Sequence, residues 1–192
     1  MTKYPIRKLA LTGRIRSGKD TVADYLAEKY AFEKFAFAGA MKFYLHRLFP
    51  HIPADPKPRR AYQVFGEGLR NLDLPGATDV WIDACLRQVD AHTWWHSEVD
   101  ERGANVVITD LRTPREYERL RAEGFTIIRV TAPDQLRMDR AVEAGDDFTV
   151  HDFAHETELH VDSFEVDYEI VNDGTVEELK AKVDEVVAKI NE

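Results

Sequence analysis

The sequence predicts an α/β protein of three layers, in which a doubly wound sheet of about five parallel strands is covered by helices on both faces. Three observations predict it. Short apolar, β-branched runs alternate with longer segments whose apolar residues recur every three or four positions. The first apolar run passes through a glycine-bounded loop directly into a helix. The third ends in an acid, Asp110, which is how a buried parallel strand delivers a carboxylate to the carboxyl edge of a sheet.

The bulk numbers fit one domain over residues 1–192, with 44% apolar residues to build its core. The single cysteine, Cys85, excludes an internal disulfide framework and fits a reducing compartment, and the N-terminal region carries no long apolar run. A soluble cytoplasmic protein, with no membrane partner, is expected. The net charge of −9 argues against a nucleic-acid polymer as partner, because such a surface repels a polyphosphate. Any small anion must therefore be met by local positive charge. The composition is compatible with a homodimer.

Residues 6–12 read as the first strand and residues 20–30 as the first helix, with Val22, Tyr25 and Leu26 on one face. Between them lies Gly13-Arg14-Ile15-Arg16-Ser17-Gly18-Lys19. Glycines at each end let successive N–H groups converge on a phosphate, the helix N-terminus adds partial positive charge, and Lys19 reaches the outer phosphates. The loop reads as a triphosphate site formed by Gly13, Arg14, Ser17, Gly18, Lys19, Asp20 and Thr21, with Arg14, Arg16 and Lys19 supplying positive charge. It departs from GxxxxGK[ST] because Asp20 stands where a magnesium-binding hydroxyl is usual. Asp20 either ligates Mg²⁺ as a hard oxygen or charges the first helical turn, two readings of equal weight.

A second strand is expected at Phe32–Phe37 and a helix from about Ala40, with Met41, Tyr44, Leu45 and Leu48 on one face and Lys42 in its first turn. Prolines at 50, 53, 56 and 58 mark an exposed connector. Residues 60–100 read as helical, broken at Leu74-Pro75-Gly76. The stretch 39–103 is too long for a simple crossover and is the natural place for a second substrate. Residues 106–110 close the third strand, making Asp110 a candidate for Mg²⁺ or its waters. Thr113, Pro114 and Glu116 form a capping box, and Gly124 ends that helix. Arg112, just past the strand, reads as a phosphate contact.

A fourth strand leads to a helix opened by Pro133, on which Arg137 and Arg140 share a face. Residues 134–160 read as a lid, and arginines closing over phosphate would be catalytic; the alternative is a solvated face. His151, His155 and His160 lack the HExxH order, so a zinc site is not expected. A fifth strand precedes a last helix capped by Thr175 and Glu178, with an apolar stripe of Val176, Leu179, Val183, Val186 and Ile190.

In order and spacing, LTGRIRSGKDTVADYL, FAGAMK, Gln63-x-x-Gly66-x-x-x-Arg70 followed by Asp79-Val80-Trp81, ITDLRTPREYERLRAEGFTIIRV, and HETEL with IVNDGTVEEL resemble the deoxynucleoside monophosphate kinases of the phage and bacterial type over nearly the full chain. The resemblance implies a P-loop NTPase sheet in the order 2-3-1-4-5 and transfer of the γ-phosphoryl of ATP, with Mg²⁺, to a deoxynucleoside monophosphate. It places Gln63 and Arg70 at the acceptor, with Lys42 and Trp81 from the same motifs. Arg112 falls near the acceptor phosphate, and Arg16, Lys19, Arg137 and Arg140 fall at the transferring group. Animal-type phosphomevalonate kinases share the GxxxSGKD loop and the Asp-x-Arg strand end; dephospho-CoA kinases resemble the chain more distantly. A nucleotide sensor without an acceptor is the reading of another class, against which the insertion and paired arginines speak. The aromatic residues of the insertion, including Tyr62, Phe65, Trp81, Trp94 and Trp95, favour a nucleotide over mevalonate phosphate.

Overall fold

The computed structural model describes residues 6–99, 103–144 and 156–191. Five parallel strands, β1 (Ile6–Thr12), β2 (Phe32–Phe35), β3 (Ala104–Leu111), β4 (Thr126–Thr131) and β5 (Tyr168–Val171), form one sheet in the order β2-β3-β1-β4-β5. This is the predicted order. Side chains alternate across each strand, so Leu9 and Leu11 of β1 enter one core while Ala10 enters the other. Val107 and Ile128 share the face of Leu9; Val106, Ile108 and Ile127 share that of Ala10.

The first face is covered by α1 (Lys19–Tyr30) and the last helix, α8 (Val176–Ile190), through Val22, Ala23 and Leu26 against Leu179, Val183, Val186 and Val187. The second is covered by α2 (Phe37–Leu48), α4 (Val80–Trp94) and α5 (Pro114–Ala122). Between α2 and α4 lies α3 (Arg59–Arg70); α6 (Asp134–Glu143) and α7 (Glu156–Ser163) precede β5. Much of the insertion is therefore layer rather than excursion, since Ala40, Trp81, Ile82, Cys85 and Val89 are core.

Both capping boxes form: Thr113 accepts from the Glu116 N–H, Thr175 from that of Glu178, and each glutamate returns to its cap. The second helix differs from expectation. It begins at Phe37 instead of about Ala40, and β2 stops at Phe35. The cause lies on another strand: Asp110 accepts from the N–H of Phe37 and of Ala38, each at 2.9 Å, and caps a helix whose own N-cap, Ala36, has no polar side chain.

Among the described residues no helix is long and apolar enough to cross a membrane.

Candidate active site

The loop after β1 is built from three residues at positive φ: Gly13 at 135°, Arg16 at 59° and Gly18 at 104°. Its carbonyls are held by side chains one after another. The Lys19 ammonium donates to Gly13 O at 2.7 Å and Arg14 O at 2.9 Å; Arg137 Nη1 donates to Ile15 O at 3.1 Å; Arg140 Nη1 reaches Arg16 O at 3.4 Å; Asn172 Nδ2 donates to Ser17 O at 2.9 Å. Fixing the carbonyls fixes the peptide planes, and so the direction of the N–H groups that a phosphate needs. The site is preorganised by side chains from α1, α6 and the end of β5.

The loop opens onto a cavity of about 750 Å³ at the carboxyl edge of the sheet. Arg16, Lys19, Asp20, Thr21, Asp110, Arg112 and Arg140 line it, as does Gly18. So do Lys57 and Arg59, from the proline-rich segment read above as a plain connector. The six cations on this wall face three carboxylates, Asp20, Asp110 and Glu143, in a chain whose net charge is −9. Burial, with neighbouring Lys42, Arg59 and Arg112, holds Lys57 below the ordinary lysine value. A bound dianion would relieve that crowding. The Arg112 backbone is fixed where its N–H and that of Thr113 each donate to Glu116 Oε2 at 2.9 Å. Burial pushes the Glu116 carboxyl up against those same bonds.

The structure places several of the sequence-derived site residues elsewhere than in the lining of this cavity. Trp81 is 3% exposed, its indole N–H donates to Gly66 O at 2.9 Å, and it belongs to the core instead of the acceptor wall. Gln63 is exposed and donates to Glu67, one turn on; it and the exposed Arg70 lie outside the cavity lining. Lys42 sits 5.6 Å over the Tyr62 ring, where its charge still reaches Lys57 and Asp110. Arg14 contributes its carbonyl, while its guanidinium donates through Nε to Asp162 at 2.9 Å. Arg137 is 3% exposed and clamped between Ile15 O and Asp134, so it acts as a strut beneath the loop, whereas Arg140 reaches the cavity. Of the expected lid, 145–155 lie outside the described residues, and with them His151 and His155. Among the described residues no cluster of three or more histidine, cysteine or acidic side chains could hold a metal.

Mg²⁺ in such a site takes one or two carboxylates, with phosphate oxygens and water completing its shell, so no protein cage is required. The donor set fits. Asp20 is exposed on the cavity wall and lies in the first turn of α1, where it adds negative charge without making a side-chain capping bond. Asp110 also faces the cavity, but both its oxygens already accept backbone N–H groups, and burial holds its carboxyl above the usual carboxylate range despite them. Asp20 is therefore the better candidate to hold the ion. Asp20→Asn is expected to raise the Mg²⁺ concentration for half-maximal rate several-fold with little change in thermal stability. An unchanged Mg²⁺ titration would remove Asp20 from the metal site.

Sequence reasoning missed Lys57, Arg59 and Asn172. Asn172 stands in a quoted motif, and its low exposure of 4% becomes visible only once β5 is placed beside the loop. Lys57 and Arg59 had no signal beyond their charge.

A family model described as deoxynucleotide monophosphate kinase matches residues 7–74. The chain is 28% identical over 178 residues to uncharacterized protein ORF77 of Ictalurid herpesvirus 1 (strain Auburn), covering 91% of this chain and 68% of that protein. Among solved structures, a gluconokinase from Sinorhizobium meliloti 1021 superposes with a TM-score of 0.59 at 14% identity, covering 96% of this chain and 93% of that one. A shikimate kinase from Acinetobacter baumannii, in complex with shikimate, gives 0.55 at 16% identity, covering 98% and 95%. At these identities the structures establish a shared fold.

Proposed function

We propose that the chain transfers the γ-phosphoryl group of Mg-ATP to the phosphate of a deoxynucleoside monophosphate, a reading supported by its kinase-like fold and by the family model that matches residues 7–74. The observation that carries this reading is that one cavity gathers two groups of cations from different elements. Arg16, Lys19 and Arg140 surround the loop; Lys57, Arg59 and Arg112 come from the proline-rich segment and the end of β3. A nucleotide sensor needs only the first group.

The chemistry asks little of the protein beyond placement and charge. An oxygen of the acceptor phosphate attacks the γ-phosphorus, the bond to the β-bridging oxygen breaks, and ADP leaves with that electron pair. The acceptor oxygen is already anionic near pH 7, so no general base is required. Lys19 and the loop N–H groups meet the charge on the transferring group, with Arg140 at its side. Mg²⁺ held by Asp20 would neutralise phosphate oxygens. An adjoining hollow of about 460 Å³, which shares Asp20 and Thr109 and is walled by Phe35 and Gln88, offers room for the nucleoside.

The reading is tested by ATP consumption against a panel of monophosphates. At least one deoxynucleoside monophosphate should be turned over well above mevalonate phosphate. Turnover with mevalonate phosphate and none with any nucleotide would overturn the acceptor while leaving the loop chemistry in place.

A further inference from the structure

The buried amide of Asn172 touches both halves of the phosphate machinery. Its Nδ2 donates to Ser17 O at 2.9 Å and its Oδ1 accepts from Arg140 Nη2 at 3.2 Å, while its own backbone N–H is anchored on Thr131 O at 2.7 Å. Only one orientation of the amide satisfies both side-chain bonds, since the carbonyl of Ser17 can only accept and the guanidinium can only donate. The fit to the loop is tight: a Cβ on Gly18 would lie 2.2 Å from Asn172 Nδ2, so the amide occupies the space a side chain there would need. The same guanidinium reaches Arg16 O through Nη1 at 3.4 Å, which closes a ring of contacts from the loop through Asn172 and Arg140 back to the loop.

Resting on the proposed reading of the cavity as an ATP site, we propose that Asn172 is a positioning residue that sets the loop and Arg140 together. Its donor side fixes the Ser17 peptide plane and so helps aim the loop's N–H groups at phosphate. Its acceptor side holds the Arg140 guanidinium at the cavity wall, on long contacts that a phosphate oxygen can replace at little cost. Occupancy of the cradle and placement of the arginine are thereby coupled through one side chain.

The two halves of the amide can be separated. In Asn172→Asp the carboxylate still accepts from Arg140 but has no N–H for Ser17 O; in Asn172→Ala both contacts are lost. ATP affinity by calorimetry, kcat, and melting of the ligand-free protein are measured for these, for Arg140→Ala, and for the double variant Asn172→Ala with Arg140→Ala. With the Ser17 carbonyl no longer held, the loop N–H groups lose their fixed direction, so Asn172→Asp should weaken ATP binding about tenfold with a smaller fall in kcat. Asn172→Ala should lower both, and adding Arg140→Ala should cost clearly less than the product of the single effects. A purely structural asparagine would lower the melting temperature and leave the two kinetic parameters in their wild-type ratio. Effects that multiply in the double variant, or unchanged ATP affinity in Asn172→Asp, overturn the proposal. Should Asn172→Ala fail to fold, the split in Asn172→Asp decides. Wild-type protein that binds no ATP would refute the reading of the cavity itself, whereas ATP binding without coupling refutes only the role of Asn172.

Discussion

Lys19→Ala is expected to lower turnover by about 10²-fold or more, the loss that follows removal of one preorganised donor at a site of developing charge. The ammonium is 7% exposed and rests on Gly13 O and Arg14 O, so its position is set by the loop it serves. Two effects combine in this variant. The transferring phosphoryl group loses a fixed positive charge, and two loop carbonyls lose the donor that holds them. The core beneath is untouched, because the packing of α1 on the sheet runs through Val22, Ala23 and Leu26. Melting near the wild-type temperature together with the kinetic loss separates catalysis from folding. Near-wild-type turnover would show that the loop is not catalytic.

Gly13→Ala is expected to have the largest effect on stability. The backbone there has φ of 135°, a conformation that a side chain opposes, and a Cβ would lie 2.1 Å from the carbonyl oxygen of Val130. That oxygen belongs to β4, which is paired on both sides within the sheet, so it cannot move aside as a flexible side chain would. Backbone strain and overpacking together should cost about 3 kcal/mol or more, roughly 10 °C in melting temperature for a chain of this size. A melting curve for Gly13→Ala that overlays wild type would contradict the packing of the loop on β4.

Local signals in the sequence carried the periodic elements, the capping boxes at Thr113 and Thr175, and the phosphate loop, since each depends on residues near one another in the chain. What was not legible depends on distant pairs. The start of α2 is decided by Asp110, a residue 73 positions away in the chain. Trp81 looked like a platform for a base because burial cannot be read from residue type; its indole N–H is spent on Gly66. Arg137 and Arg140 sit on one helix face as expected, yet one is a buried strut and the other reaches the cavity, a difference created by how α6 lies against the loop. Lys57 and Arg59 were hidden by their setting, because prolines suggest a solvated connector until the segment is seen to fold over a cationic cavity.

The account turns on transfer from ATP to a phosphate ester, and the most direct measurement follows the label. Purified protein with Mg²⁺ and ATP labelled at the γ-phosphate, supplied with the deoxynucleoside monophosphates one at a time, should move the label into a deoxynucleoside diphosphate. Label that stays in ATP or appears only as inorganic phosphate, whichever deoxynucleoside monophosphate is offered, would contradict it.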